Sequence, residues 1–199
     1  MSIESLLENL KDRGFTAEFC KPEEVKALVE KRIPKGETVG TGGSETLKEL
    51  GLLAGLVADG YAVNNPSTCD KEYETICREN RNVNYYLTST NALTEEGEFV
   101  NIDGRGNRIA NMIYGVPNVI FVLGTNKIVP DIPAALKRIK EEACPPNARR
   151  LGKKTPCAYG KCGTCKNLAE KMCKATLILS HPCSATNVHV LIVDGSFGY

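Results

Sequence analysis

The sequence predicts an α/β fold arranged as a mixed-sheet sandwich. Short apolar runs of strand length alternate with amphipathic helical stretches along most of the chain, which is the pattern of a sheet covered by helices. One polar turn, Glu95-Glu96-Gly97, joins two such runs as a hairpin and adds an antiparallel element to an otherwise parallel plan. With 199 residues, 42% of them hydrophobic and 25% charged, the chain has the length and composition of a single folded domain spanning 1–199.

Taken in order, Ser5 to Arg13 carries Leu6, Leu7 and Leu10 at helical spacing and stops at Gly14, a residue suited to a helix C-terminus. Phe15 to Cys20 reads as a strand. Pro22-Glu23-Glu24 opens a second helix, with proline and acids in its first turn, that ends near Pro34. The next strand is expected to end near Val39, with a glycine-rich turn after it and a helix over Glu45 to Leu53. Strands are then expected over Ala58 to Val63, Asn84 to Thr88, Asn118 to Leu123, Ala175 to Leu179 and Val188 to Val193. Helices are expected over Lys71 to Glu79, Asn107 to Tyr114 and Asp131 to Glu142. The hairpin arms are Leu87 to Leu93 and Glu98 to Ile102, and Pro145 to Asn167 is rich in Pro, Gly, Lys and Cys.

Composition excludes several classes of function. A net charge of +1 gives no long-range attraction to phosphate backbones or anionic lipid, so no nucleic acid partner is expected. The longest apolar runs, such as Val119 to Leu123, fall far short of the ~20 residues that cross a bilayer. The N-terminus mixes acids into its apolar positions and lacks the basic start of a secretion signal, so a cytoplasmic location is expected. With two histidines in the chain, a histidine-based triad or zinc hydrolase has little to work with, and His189 falls mid-strand as a structural residue.

Three polar concentrations are candidates for chemistry. In Val39-Gly40-Thr41-Gly42-Gly43-Ser44-Glu45-Thr46, glycines let amides face an oxyanion while Ser44 and Thr46 add donors. The pattern is neither a Walker loop nor a dinucleotide fingerprint, and a plain capped turn is the alternative. The second concentration holds Asn91, Glu98, Asp103, Asn107 and Arg108. Either Asn101 and Asp103 tie down a loop and Asn107 caps a helix, or Asn91, Glu98, Asp103, Asn107 and Arg108 line a pocket with Gly42, Gly43, Ser44 and Thr46, Arg108 holding a carboxylate or phosphate. Lys127 follows the most apolar strand, where open α/β sheets bind ligands; it is a ligand contact or a solvated strand end.

Nine cysteines, an odd number, argue against a framework of disulfides. Four are clustered as Cys157-x4-Cys162-x2-Cys165-x7-Cys173, and the segment 155–175 is expected to bind metal. Four thiolates suit tetrahedral zinc or an iron-sulfur cluster, and Gly160 and Gly163 allow the loop to fold tightly. The first three share the plant-type ferredoxin spacing, but the fourth comes too soon for that fold, so spacing alone leaves iron and zinc open.

Several of these blocks resemble, in order and spacing, the LUD domain of lactate-utilization proteins. They are Thr38 to Leu47, Thr88 to Asn101, Asp103 to Arg108 and Gly124 to Val129, and they span most of residues 1 to 150. The cysteine tail is similar to that of short stand-alone members. The resemblance implies a fold like that of ribose-5-phosphate isomerase and the CoA transferases, whose glycine-rich first turn holds a phosphate or carboxylate. It also implies a place among proteins that oxidise lactate to pyruvate beside iron-sulfur partner proteins. The chain lacks the paired ferredoxin-type cysteine runs of the larger subunits, so a complete lactate dehydrogenase is not expected.

The expected function is therefore binding of a small anion in lactate or related 2-hydroxy-acid utilization, with a cysteine-ligated centre for electron transfer or structure. A second possibility is an isomerase or transferase acting on a phosphorylated sugar or CoA ester, with Glu98 or Asp103 as base and a structural zinc. A third is a regulatory protein whose thiols sense metal or redox state.

Overall fold

The computed structural model describes all of residues 1–199. Two sheets build the core. The larger has six strands, all parallel, in the order β1 (Thr16–Cys20), β10 (Asn187–Val193), β7 (Asn118–Gly124), β4 (Tyr85–Thr88), β2 (Thr38–Thr41) and β3 (Ala62–Asn64). The smaller has four, in the order β8 (Ile128–Val129), β5 (Ala92–Thr94), β6 (Phe99–Asp103) and β9 (Ala175–Leu179), with β6 antiparallel to both neighbours. The expected antiparallel element thus exists, but it forms a separate sheet and leaves the main one wholly parallel. Val119 to Leu123 of β7 and Val190 to Val193 of β10 read as unbroken apolar runs because both faces of these strands are covered.

One face of the large sheet packs Val39, Leu87, Ile120, Val122, Leu191 and Val193 against helices α2 (Val25–Arg32), α3 (Glu45–Glu49) and α4 (Leu52–Ala58). The other face packs Tyr86, Val119, Phe121, Val190 and Ile192 against Leu6 and Leu10 of α1 (Ile3–Asp12), Met112 of α6 (Asn107–Ile113), and the small sheet. Phe99 of the small sheet sits between Phe15 and Phe121, with ring centroids 5.1 and 4.5 Å away. Each such buried aromatic or leucine stabilises the fold by about 1.5–3 kcal/mol. The outer face of the small sheet carries Ala92 and Val100, covered by Ala135 of α7 (Ile132–Arg138) and Ile139.

Several boundaries differ from expectation, each for a local reason. The helix expected over Glu45 to Leu53 is two helices, α3 and α4, because Gly51 adopts φ +61° between them. The strand expected from Ala58 is helical at its start and begins only at Ala62. The hairpin arm Leu87 to Leu93 is divided: Leu87 and Thr88 belong to the large sheet and Ala92 and Leu93 to the small one, so Ser89 to Asn91 carry the chain between layers. The helix expected to stop at Glu142 continues through a π turn, Ile139–Ala143, into α8 (Cys144–Arg150). Pro145 and Pro146 cannot donate to the preceding turn, and the widened π turn carries the helix past them. The remaining helices are α5 (Tyr73–Glu79) and the single turn α9 (Pro156–Tyr159). No helix is long and apolar enough to cross a membrane.

Candidate functional site

The order of the large sheet fixes where a ligand crevice lies. From β2 the chain moves outward to β3, then crosses back to place β4 on the other side of β2 and continues to β7 and β10. Loops on either side of such a reversal leave in opposite directions and open a crevice at the carboxyl ends of the two strands, here β2 and β4. The residues following them are Gly42 to Ser44 and Ser89 to Asn91.

Lys127 is carried into this crevice by the turn after β7. It is 3% exposed, and its Nζ donates to Thr46 Oγ1 at 2.8 Å, Ser89 Oγ at 3.1 Å and the Thr90 carbonyl at 3.2 Å. Ser89 Oγ donates in turn to Thr46 Oγ1 at 3.3 Å. No carboxylate lies within ion-pair distance of the amine. Burial first, then the nearby guanidinium groups of Arg138 and Arg108, lowers the Lys127 pKa to about 7. The amine is therefore a group that takes or gives a proton near neutrality, and of the sequence-predicted residues it is the one most clearly poised for chemistry.

Arg108 lies beside the crevice in a different role from the expected one. Its guanidinium donates to the Ser89 carbonyl and Asn101 Oδ1, each at 3.2 Å, and to Asn91 Oδ1 at 3.3 Å and the Ile102 carbonyl at 3.0 Å. Its Nε faces Asp103 Oδ2 at 3.7 Å. With its donors occupied by the chain, Arg108 joins the loop after β4 to β6 rather than presenting a free fork to an anion. Asn91 belongs to the same brace: its Oδ1 also accepts the Ile102 amide at 2.8 Å, and its carbonyl accepts Arg138 Nη1 at 2.6 Å. Arg138, 6% exposed, donates as well to the Asn126 carbonyl at 3.0 Å. In the sequence it falls in the basic last turn of a helix, which gave no sign of this burial.

Asp103 and Glu98 stand at opposite ends of β6, about 16 Å apart along an extended strand. Asp103 Oδ1 accepts the amides of Arg105 and Gly106 at 2.9 Å each, tying the turn before α6. Its Oδ2, the Tyr86 hydroxyl and Asn111 Oδ1 are buried without hydrogen-bond partners. Glu98 is not brought to the crevice. It lies 3.9 Å from Arg13 and accepts the Thr94 hydroxyl at 3.4 Å, at the hairpin end. Asn107 is the first residue of α6; the position before the helix is Gly106, so the expected capping by Asn107 is replaced by the Asp103 turn.

The glycine-rich turn combines both readings of its sequence. Ser44 caps α3 by accepting the Leu47 amide at 3.3 Å, as in a plain turn. Gly42 leaves room for the Tyr86 hydroxyl, which a Cβ there would meet at 2.9 Å, while the Gly43 and Ser44 amides donate to no protein acceptor. Over this turn lies the C-terminal segment. Thr46 Oγ1 donates to the Phe197 carbonyl at 3.0 Å, and Asn126 Nδ2 donates to the Gly198 carbonyl at 3.1 Å. The strap thus covers Thr46 and, behind it, Lys127.

The clustered cysteines are brought together beside α8. Cys157, Cys162, Cys165 and Cys173 line a small cavity of about 60 Å³, and Cys144 from the start of α8 lines it with them. All nine cysteines are free thiols, and no three of the chain's ligand side chains stand in metal-holding geometry. Burial and then the neighbouring thiols push the Cys144 pKa up to about 12. Six lysines between Lys153 and Lys174 surround the segment with positive charge. Cys144 escapes a reading based on spacing because it lies outside the clustered run, in what the fold makes a helix.

A parallel α/β sheet with a buried, unpaired lysine at its point of reversal, backed by a small second sheet, defines the class of protein. The sequence matches the family profile described as the LUD domain over residues 3–193, and the chain belongs to that family. A crystal structure of a DUF162 family protein from Deinococcus radiodurans superposes with a TM-score of 0.56 at 14% identity, covering 98% of this chain and 99% of that one, a likeness of fold. The structure of eIF2B beta from Chaetomium thermophilum aligns with 66% of this chain and 47% of that one, at 16% identity and a TM-score of 0.40. No curated protein matches the sequence.

Proposed function

We propose that this LUD domain protein binds a small carboxylate of lactate or related 2-hydroxy-acid utilization at the carboxyl ends of β2 and β4. The observation that carries the reading is Lys127: a buried amine held only by neutral oxygens is the cation such a site would offer to an anionic ligand. The amides of Gly43 and Ser44 and the hydroxyls of Ser89 and Thr46 would complete the contacts. The ligand would take the place of the Phe197 carbonyl, so binding would lift the strap. Ligation by Cys157, Cys162, Cys165 and Cys173 would add a zinc or iron-sulfur centre within the 155–175 segment of a single domain. An iron-sulfur form would pass electrons to a partner protein, and a zinc form would fix the segment. The two-sheet arrangement accords with the kinship to ribose-5-phosphate isomerase and CoA transferases that the sequence resemblance implies.

The test is ligand-induced stabilisation. L-lactate, pyruvate and other small 2-hydroxy and 2-oxo acids at about 100 times their Kd would add about 2.7 kcal/mol, seen as a raised Tm. The effect is expected to be absent in Lys127→Met. Stabilisation by ribose 5-phosphate or CoA esters, with none by the acids, would replace this reading with the isomerase or transferase one.

A further inference from the structure

We infer that Cys144 is a ligand of the thiolate centre, which holds one divalent ion of the zinc type between helix α8 and the cysteine segment. Cys157, Cys165 and Cys173 complete the inner set, and Cys162 is the exposed thiol at the mouth. This rests on the metal reading above and changes its ligand set from one stretch of chain to two.

Three observations lead here. The cavity is lined by five thiols, one more than a tetrahedral ion uses, so one of them is outside the set. Their exposure grades them: Cys157 is buried, Cys144, Cys165 and Cys173 are half-buried, and Cys162 is exposed. A structural zinc site is closed to solvent, which favours the first four.

The second observation is the helix itself. Cys144 is the first residue after the π turn Ile139–Ala143, and Pro145 and Pro146 follow it. A π turn inserts an extra residue into a helix and is frequent at functional sites. Here Ala135, before the turn, and Ile139, its first residue, pack on the small sheet, while Ala148, beyond it, packs on Cys157 and Ala158; Cys144 touches both clusters. The irregular turn thus delivers a thiol to the cysteine segment from a helix that otherwise serves the small sheet.

The third is size. The roughly 60 Å³ of space between the thiols is room enough for one ion. A [4Fe–4S] core brings four irons and four sulfides and would require the segment to open. Closing on one ion requires only that the thiols turn inward and release their protons.

The experiment uses the full chain purified without oxygen, as wild type, Cys144→Ser, Cys162→Ser and, as a control, Cys183→Ser, which changes an exposed thiol that does not line the cavity. Zinc, iron and acid-labile sulfide are quantified, zinc affinity is measured by competition with a chromogenic chelator, and cobalt(II) is substituted to count thiolates by charge-transfer absorption. One zinc per chain is expected. Cys144→Ser should bind zinc at least about 100-fold more weakly, beyond the loss typical of a residue that only orients a ligand, and lose about a quarter of the charge-transfer intensity. Cys162→Ser and Cys183→Ser should retain zinc. Alkylation of the wild type gives a readout independent of whether the variant folds: zinc should shield Cys144 and leave Cys162 reactive.

Undiminished affinity in Cys144→Ser together with loss in Cys162→Ser would overturn this inference and leave the four-cysteine reading standing. Iron with stoichiometric sulfide would overturn the single-ion centre. A wild type that takes up no metal would overturn both.

Discussion

Lys127→Met has a stability signature that can be worked from the structure. The amine has a pKa of about 7 in the folded chain against an ordinary 10.5, so between those values the unfolded chain holds one proton more than the folded one. Stability therefore rises with pH across that window, by up to about 1.4 kcal/mol per pH unit. Below about pH 7 both states carry the proton and the full penalty, about 5 kcal/mol, is present; above 10.5 neither carries it. Between pH 7 and pH 9 the wild type gains about 2 kcal/mol from this group alone. Methionine removes the titration and leaves the Thr90 carbonyl without a donor, at a cost of about 1–3 kcal/mol that does not vary with pH. Urea unfolding followed by circular dichroism, with reductant present, gives both values at each pH. The quantity that decides is the difference between the two proteins, because thiols titrating in the same range cancel in it. Lys127→Met should lose about 2 kcal/mol relative to wild type on going from pH 7 to pH 9. An equal response in both proteins would refute the description of Lys127 as a buried amine that titrates near neutrality.

Two glycines test the segments that cover the sites. A Cβ at Gly198, where φ is +62°, would lie 2.6 Å from Thr46 Oγ1 and 2.8 Å from its backbone nitrogen, so Gly198→Ala should release the C-terminal strap. Faster hydrogen exchange over 195–199 and tighter binding of the small acid are expected, and unchanged exchange would show that the strap is held elsewhere. At Gly104 a Cβ would lie 2.8 Å from the Met172 carbonyl, a backbone atom next to Cys173. Gly104→Ala should displace the cysteine segment at a cost of about 1–3 kcal/mol; limited proteolysis should then cut between 153 and 173 with the rest of the chain intact.

Sequence alone determined the elements whose cause is local or periodic. Leu6 and Leu10 at helical spacing before Gly14, the apolar runs Val119 to Leu123 of β7 and Val190 to Val193 of β10, and the polar turn at Glu95-Glu96-Gly97 all read directly, because one solvent-covering pattern accounts for each. The grouping of Cys157, Cys162, Cys165 and Cys173 was equally legible, since neighbours in sequence on a tight loop are neighbours in space. Tertiary structure decided the rest. Leu87 to Leu93 reads as one hairpin arm, yet the chain passes from one sheet to the other at its polar centre, Ser89 to Asn91, held by the bonds of Asn91, Asn101 and Arg108. Arg108 looked like a free anion grip because a sequence shows the donors of a side chain and not the carbonyls that occupy them. Lys127 read equally as a ligand contact or a solvated strand end, and nothing in the sequence marked Arg138; only the layers packed over them deprive both of water. Cys144 joined the other thiols through the π turn and the docking of α8, and Glu98 was carried away from Asp103 by the length of one strand. Which polar residues meet is fixed by long-range packing, and the energy that pays for burying them comes from hydrophobic contacts made elsewhere in the fold.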